Sequence, residues 1–183
     1  MTVGDLVKGV VIIIALWAFL FFQQSAHAFE RSTYGIWVDL DRDCQNTRQE
    51  ILIRDSLIEP IMGSKCKVNF GKWQDPYSDA VFISPAGIDI DHIIPLNYAD
   101  RNGAKDWSPR RKVEFGNDPE NLIAASASQN RSKGDKGPSK WMPKNKAYHC
   151  QYAKSWTKLA EKYRIKLEFL DRAKLKSITA KCK

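Results

Sequence analysis

The sequence predicts one small α+β domain stapled by disulfides, and three observations predict it. The chain has 183 residues, enough for one modest core once an N-terminal leader is set aside. Short β-branched or alternating runs, Ile88–Ile94 and Leu122–Ala125 among them, share the chain with stretches of helical period. Four cysteines, Cys44, Cys66, Cys150 and Cys182, form no Cys-x-x-Cys pair, which argues against a structural zinc site and for two disulfides in an oxidising compartment.

The leader comes first. Lys8 precedes an apolar run of 14 residues, 9–22, followed by Gln23-Gln24-Ser25 and then Ala26-His27-Ala28. A charged start, a short hydrophobic segment and a small-residue cleavage signal read as a signal peptide, residues 1–28, cut after Ala28. The run falls short of the roughly 20 residues that span a bilayer comfortably. An uncleaved membrane anchor is the alternative, because 3–22 carries only Asp5 and Lys8 as charges. The domain then occupies 29–183.

Thr47-x-x-Glu50 has the form of a capping box, so a helix starts near Arg48, runs through Ile51, Leu52 and Asp55, and ends at Glu59-Pro60. Val68 and Phe70 alternate within a strand over 66–73, and Asp75-Pro76-Tyr77 makes a turn. The run 88–94 is the next strand. Residues 97–111, with Gly103, Trp107 and Pro109, read as an irregular excursion, and Asn117-Asp118-Pro119 as a turn. After the strand at 122–125, Ser126-x-x-Gln129 opens a short helix that Gly134 ends. The centre of the chain therefore reads strand, excursion, strand, helix. A basic loop covers 133–146. His149, Tyr152, Ala153, Trp156, Leu159, Ala160 and Tyr163 recur at helical spacing. Ile165, Leu167 and Phe169 alternate over a short strand, and Asp171 caps a last helix with Leu175, Ile178 and Cys182 on one face.

Three cysteine pairings are possible by arithmetic. The sequential pairs Cys44–Cys66 and Cys150–Cys182 are preferred, since each staples a segment to its neighbour. Loops of 22 and 32 residues are worth about 3–4 kcal/mol each in the chain-entropy account.

The chemistry concentrates in Asp89-Ile90-Asp91-His92-Ile93-Ile94-Pro95-Leu96, read with Asn121 and with Asn130-Arg131-Ser132-Lys133. Asp91 and Asn130 offer a carboxylate and an amide oxygen to a hard cation, the donor set of Mg²⁺, with Mn²⁺ as an alternative. His92 has an imidazole suited to taking a proton from water. Neighbours on a strand point to opposite faces, so Asp91 and His92 can hold different roles; Asp89 shares Asp91's face and is a second ligand candidate. Arg131, Lys133 and Lys136 form a basic electrostatic track beside them and are candidates to bind substrate phosphate. His149 lies on an apolar helix face and reads as a core histidine. Trp37, Trp73, Trp107, Trp141 and Trp156 are scattered and read as core packing. The net charge is +8, and Asp5 and Lys8 cancel within the leader. With a metal and a general base, that charge points to an anionic polymer, nucleic acid, as substrate.

These residues resemble the HNH nucleases, the ββα-metal or His-Me finger group, and among them secreted bacterial HNH proteins. The resemblance rests on Asp-Ile-Asp-His-Ile-Ile-Pro-Leu at 89–96, Asn121-Leu122 and Asn-Arg-Ser-Lys-Gly-Asp at 130–135. In the secreted group it extends from Trp37 to Tyr163, taking in 43–50, Gly103-Ala104 with Trp107, Trp141-Met142-Pro143 and Cys150. The third motif position is Asn130 rather than His, as in several HNH subfamilies. The resemblance implies a ββα-metal domain that hydrolyses phosphodiester bonds with a divalent cation, leaving a 5′-phosphate. It implies that Asn121 braces the histidine's segment through the backbone, and that Arg48, part of a Thr-Arg pair in the secreted relatives, contacts phosphate. The expected substrate is DNA ahead of RNA, cut with little sequence preference by an exported, secreted or periplasmic, monomeric enzyme. The alternatives are a catalytically silent nucleic-acid-binding or DNA-uptake protein on the same fold, and an anchored envelope protein.

Overall fold

The computed structural model describes residues 28–35 and 37–182. The leader and the anchor alternative lie outside them. Among the described residues no helix is long and apolar enough to cross a membrane.

The elements in chain order are α1 (Thr47–Arg54), β1 (Ile61–Met62), β2 (Val68–Phe70), β3 (Trp73–Gln74), β4 (Val81–Phe82), β5 (Ile88–His92), α2 (Leu96–Arg101), α3 (Pro109–Gly116), β6 (Leu122–Ser126), α4 (Ala127–Lys133), α5 (His149–Tyr163) and α6 (Phe169–Thr179). The strands pair as three antiparallel two-stranded ribbons, β1 with β2, β3 with β4 and β5 with β6. This is a small α+β domain.

The β5–β6 ribbon separates two cores. Ile88 and Ile90 pair with Ser126 and Ala124. This face packs with Leu122 against Ile51 and Leu52 of α1, Val68 and Trp73. Ala125 and Ile123, on the other face, belong to the larger core around α5, with Tyr77, Tyr98, Tyr152, Trp156 and Leu159. A two-stranded ribbon is marginal alone. Here apolar side chains cover both of its faces, which explains why a run of Ile and Ala reads as strand.

Both disulfides form as the sequential pairing anticipates, Cys44–Cys66 and Cys150–Cys182. The second ties the start of α5 to the end of α6.

Several local expectations change. Helix α1 starts one residue early: Asn46 accepts from the Gln49 backbone N–H as N-cap, while the Thr47 hydroxyl donates to the Val38 carbonyl. The strand over 66–73 breaks at Gly71 into β2 and β3. The irregular excursion holds two helices. Ser108 caps α3, accepting from the Arg111 N–H with Pro109 at the first helical position, a start signal present in the sequence. No strand forms at 165–169. Ile165 is buried, Phe169 is exposed, and α6 begins at Phe169, so the alternation there has no partner strand to satisfy it. Asp171 lies inside the first turn and accepts from the Tyr98 hydroxyl and the Ser139 N–H.

Candidate active site

Strand β5 ends in Asp91 and His92, and the chain turns away at Pro95 into α2. The turn is held from β6's side. Fully buried Asn121 accepts from the Ile94 N–H at 2.9 Å, donates to the Ile94 carbonyl at 3.3 Å, and its own carbonyl accepts from the Ile93 N–H at 2.7 Å. One asparagine thus satisfies both polar groups of a buried residue that has left the ribbon. Helix α4 follows β6 directly. Ser126 caps it by accepting from the Gln129 N–H, and Gly134 ends it at φ 54°, as its capping box and glycine anticipate.

Asp91, His92, Asn130 and Arg131 line one cleft of about 370 Å³, together with Arg31, Pro95 and Gly134. The neighbours Asp91 and His92 make different contacts. His92 stacks on Trp37 at 5.7 Å between ring centres, and its Nε2 lies 2.9 Å from the Gly116 carbonyl oxygen. A carbonyl only accepts, so Nε2 carries the proton and Nδ1 is left as an acceptor. Burial drives the imidazole pKa down to about 3, with the positive charges of Arg31 and Lys133 adding to the effect. The ring is therefore neutral at physiological pH.

Asp91 turns inward. Its Oδ2 accepts from the Tyr77 hydroxyl at 2.7 Å and its Oδ1 from the Lys133 ammonium at 2.9 Å; that ammonium also donates to the His92 carbonyl at 2.8 Å. Burial pushes the Asp91 carboxyl up and the Lys133 ammonium down, and their contact pulls each back. Lys133 has no exposed surface. The expectation that it meets a phosphate is corrected: it is the internal counter-ion of Asp91, at the end of a helix whose sequence gave no sign of facing inward. Asp89 accepts from the Asn130 side-chain N–H at 3.0 Å, which leaves the Asn130 amide oxygen as its remaining acceptor. Asp89 thereby orients Asn130 and does not line the cleft. Arg48 is also corrected in place. Its guanidinium donates to the Ile88 carbonyl at the far end of β5, outside the cleft.

Arg131 lines the cleft, whereas Lys136 donates to the Ser132 carbonyl. His149 is only partly buried and bonds the Pro143 carbonyl. Trp37 packs against the smaller core, as expected, and also backs the histidine. Tyr77, Gly116 and Arg31 were missed. Each is distant in sequence from the Asp91-His92 pair, so local pattern could not mark it. An exposed acidic group, Asp39, Asp41 and Asp43, lies apart from the cleft, and its charges add to burial in raising the Glu50 carboxyl.

Asp91 and Asn130 are the oxygen donors that would hold a divalent cation, and no sulfur donor lines the cleft. Both Asp91 oxygens already accept, from Tyr77 and Lys133, so a cation there would share that carboxylate with them.

The sequence-family model described as "GmrSD restriction endonucleases, C-terminal domain" matches residues 26–174. A protein of Arthroderma benhamiae (strain ATCC MYA-4681 / CBS 112371) described as "Uncharacterized secreted protein" is 33% identical over 156 residues, covering 84% of this chain and 76% of that protein. No solved structure matches. With the match spanning the whole cleft and its supports, the chain belongs to the GmrSD restriction endonuclease C-terminal domain family, an HNH-type nuclease family.

Proposed function

We propose that the protein is an exported, metal-dependent HNH endonuclease on a ββα-metal motif made of β5, β6 and α4, cutting DNA with little sequence preference. The observation that carries this reading is the cleft itself, where a neutral imidazole with a free Nδ1 meets a carboxylate and an amide oxygen from two further positions. His92 takes the proton from the attacking water at Nδ1, with the anionic substrate phosphate beside it favouring the imidazolium that burial alone disfavours, while Gly116 and Trp37 hold its ring and tautomer. Asp91 and Asn130 would hold Mg²⁺ or Mn²⁺. A bound divalent cation there supplies charge stabilisation to the scissile phosphate and leaving oxygen. Lys133 and Tyr77 fix the Asp91 carboxylate, and Asp89 fixes Asn130. The leader in the sequence and the secreted relative support export.

The test is plasmid cleavage by the wild type and His92→Ala, with Mg²⁺, Mn²⁺ or EDTA, beside duplex binding in EDTA. Loss of a general base costs about 10²–10⁴-fold in rate, with affinity nearly unchanged. Wild-type cleavage by folded His92→Ala, or full cleavage in EDTA, refutes the reading.

A further inference from the structure

The two carboxylates that line the cleft are both matched by cations. Asp91 is paired with Lys133, and Asp135 accepts from Arg101 at 2.9 Å. Arg31 and Arg131 line the same cleft and have no hydrogen-bond or ion-pair partner among the described residues. Its unmatched charge is therefore two guanidiniums, supplied by elements 100 positions apart in the chain.

Arg31 is not on a loose tail. It opens a 3-10 turn, Arg31–Tyr34, whose last residue is buried in the larger core and donates its hydroxyl to Asp100 at 2.9 Å. That turn passes directly over the end of α3, where a Cβ on Gly116 would run into the Tyr34 carbonyl oxygen. Glycine at 116 thus lets the N-terminal segment sit against the residue whose own carbonyl holds His92. Phe29, packed on Tyr34 at 6.0 Å, secures the other end of the turn. With both flanks anchored, Arg31 projects into the cleft beside His92 while remaining exposed.

We propose that Arg31 binds a substrate phosphate, forming with Arg131 a pair of guanidiniums that hold the phosphodiester backbone at the cleft. The planar fork of arginine bonds phosphate oxygens two at a time, which orients the anion as well as attracting it. The N-terminal segment is then part of the substrate site and not a linker to the leader. This rests on the nuclease reading above.

The experiment measures duplex oligonucleotide binding in EDTA across a salt series, plasmid cleavage with Mg²⁺, and thermal midpoint, for wild type, Arg31→Ala, Arg31→Lys and Arg110→Ala. Arg110 is the control: it is exposed, pairs with Glu114 on α3, and does not line the cleft. Arg31→Ala is expected to lose roughly 10- to 100-fold in kcat/KM, the loss of a charge-assisted hydrogen bond. Its log–log salt slope becomes shallower by about 0.9, one phosphate contact on duplex DNA, with an unchanged midpoint. Arg31→Lys retains the slope and loses part of kcat/KM, because charge remains and the fork does not. Arg110→Ala matches the wild type. If the wild type cuts DNA and Arg31→Ala has the same slope and kcat/KM, the phosphate role is overturned alone. A loss of kcat with the slope unchanged also overturns it, assigning Arg31 to the histidine instead. If the wild type neither binds nor cuts DNA, the nuclease reading fails and the phosphate role with it.

Discussion

Replacing Asn121 with alanine should weaken the fold and slacken the segment that carries His92 together. The side chain is fully buried and its two hydrogen bonds both go to Ile94, itself fully buried. Alanine leaves the Ile94 N–H without the acceptor it has at 2.9 Å and the Ile94 carbonyl without its more distant donor at 3.3 Å. An orphaned buried group costs about 1–3 kcal/mol, so the shorter bond contributes about 2 and the longer about 1. The sum, roughly 2–4 kcal/mol, is a large share of the 5–15 kcal/mol typical of a domain, yet leaves the variant folded in the absence of denaturant. Urea unfolding is the assay. With a slope of about 1–3 kcal/mol/M, the midpoint should fall by about 1–2 M with the slope unchanged. Cleavage by the folded variant should fall as well, because Ile93 and Ile94 lead directly from His92. A midpoint within about 0.3 M of wild type would refute the brace. Full activity at a lowered midpoint would show that Asn121 supports the fold without positioning the histidine.

Lys133→Met should destabilise by about 3–5 kcal/mol, the cost of leaving one partner of a buried ion pair uncompensated, and Lys133→Met with Asp91→Asn should recover part of it; equal midpoints for the single variant and wild type would contradict the pair. Stability should depend on pH through His92. The unfolded imidazole takes a proton below its ordinary value near 6.5 while the buried one stays neutral down to about 3, so His92's contribution is present above 6.5 and lost as pH falls through that window. The loss is at most about 1.4 kcal/mol per pH unit and is read as the difference between wild type and His92→Gln in urea midpoints at pH 7, 6 and 5; a difference that does not change with pH contradicts the burial.

Much of the centre of this domain was legible locally. Ser126-x-x-Gln129 and Gly134 bounded α4, the β-branched run marked β5, and the adjacency of Asp91 and His92 assigned them to different surroundings. Such signals work because caps, period and strand alternation are properties of a few consecutive residues. The same reasoning misjudged 97–111, where Gly103 and Trp107 outweighed the Ser108-Pro109 start, and 165–169, where alternation had no strand to pair with.

The sequence alone determined which residue types were available for the chemistry, an imidazole, a carboxylate and two amides in fixed order, and the spacing that lets the cysteines close local loops. Only the tertiary structure decided what each does. Lys133 and Arg131 are two residues apart on one short helix, yet one is buried as the partner of Asp91 and the other faces the cleft. Tyr77 and Gly116 reach Asp91 and His92 from 14 and 24 positions away, and Arg31 lines the same cleft from 61 positions before His92. The reason is physical: burial, tautomer and charge pairing depend on the distance between atoms in space, and packing around α5 and the β5–β6 ribbon sets those distances.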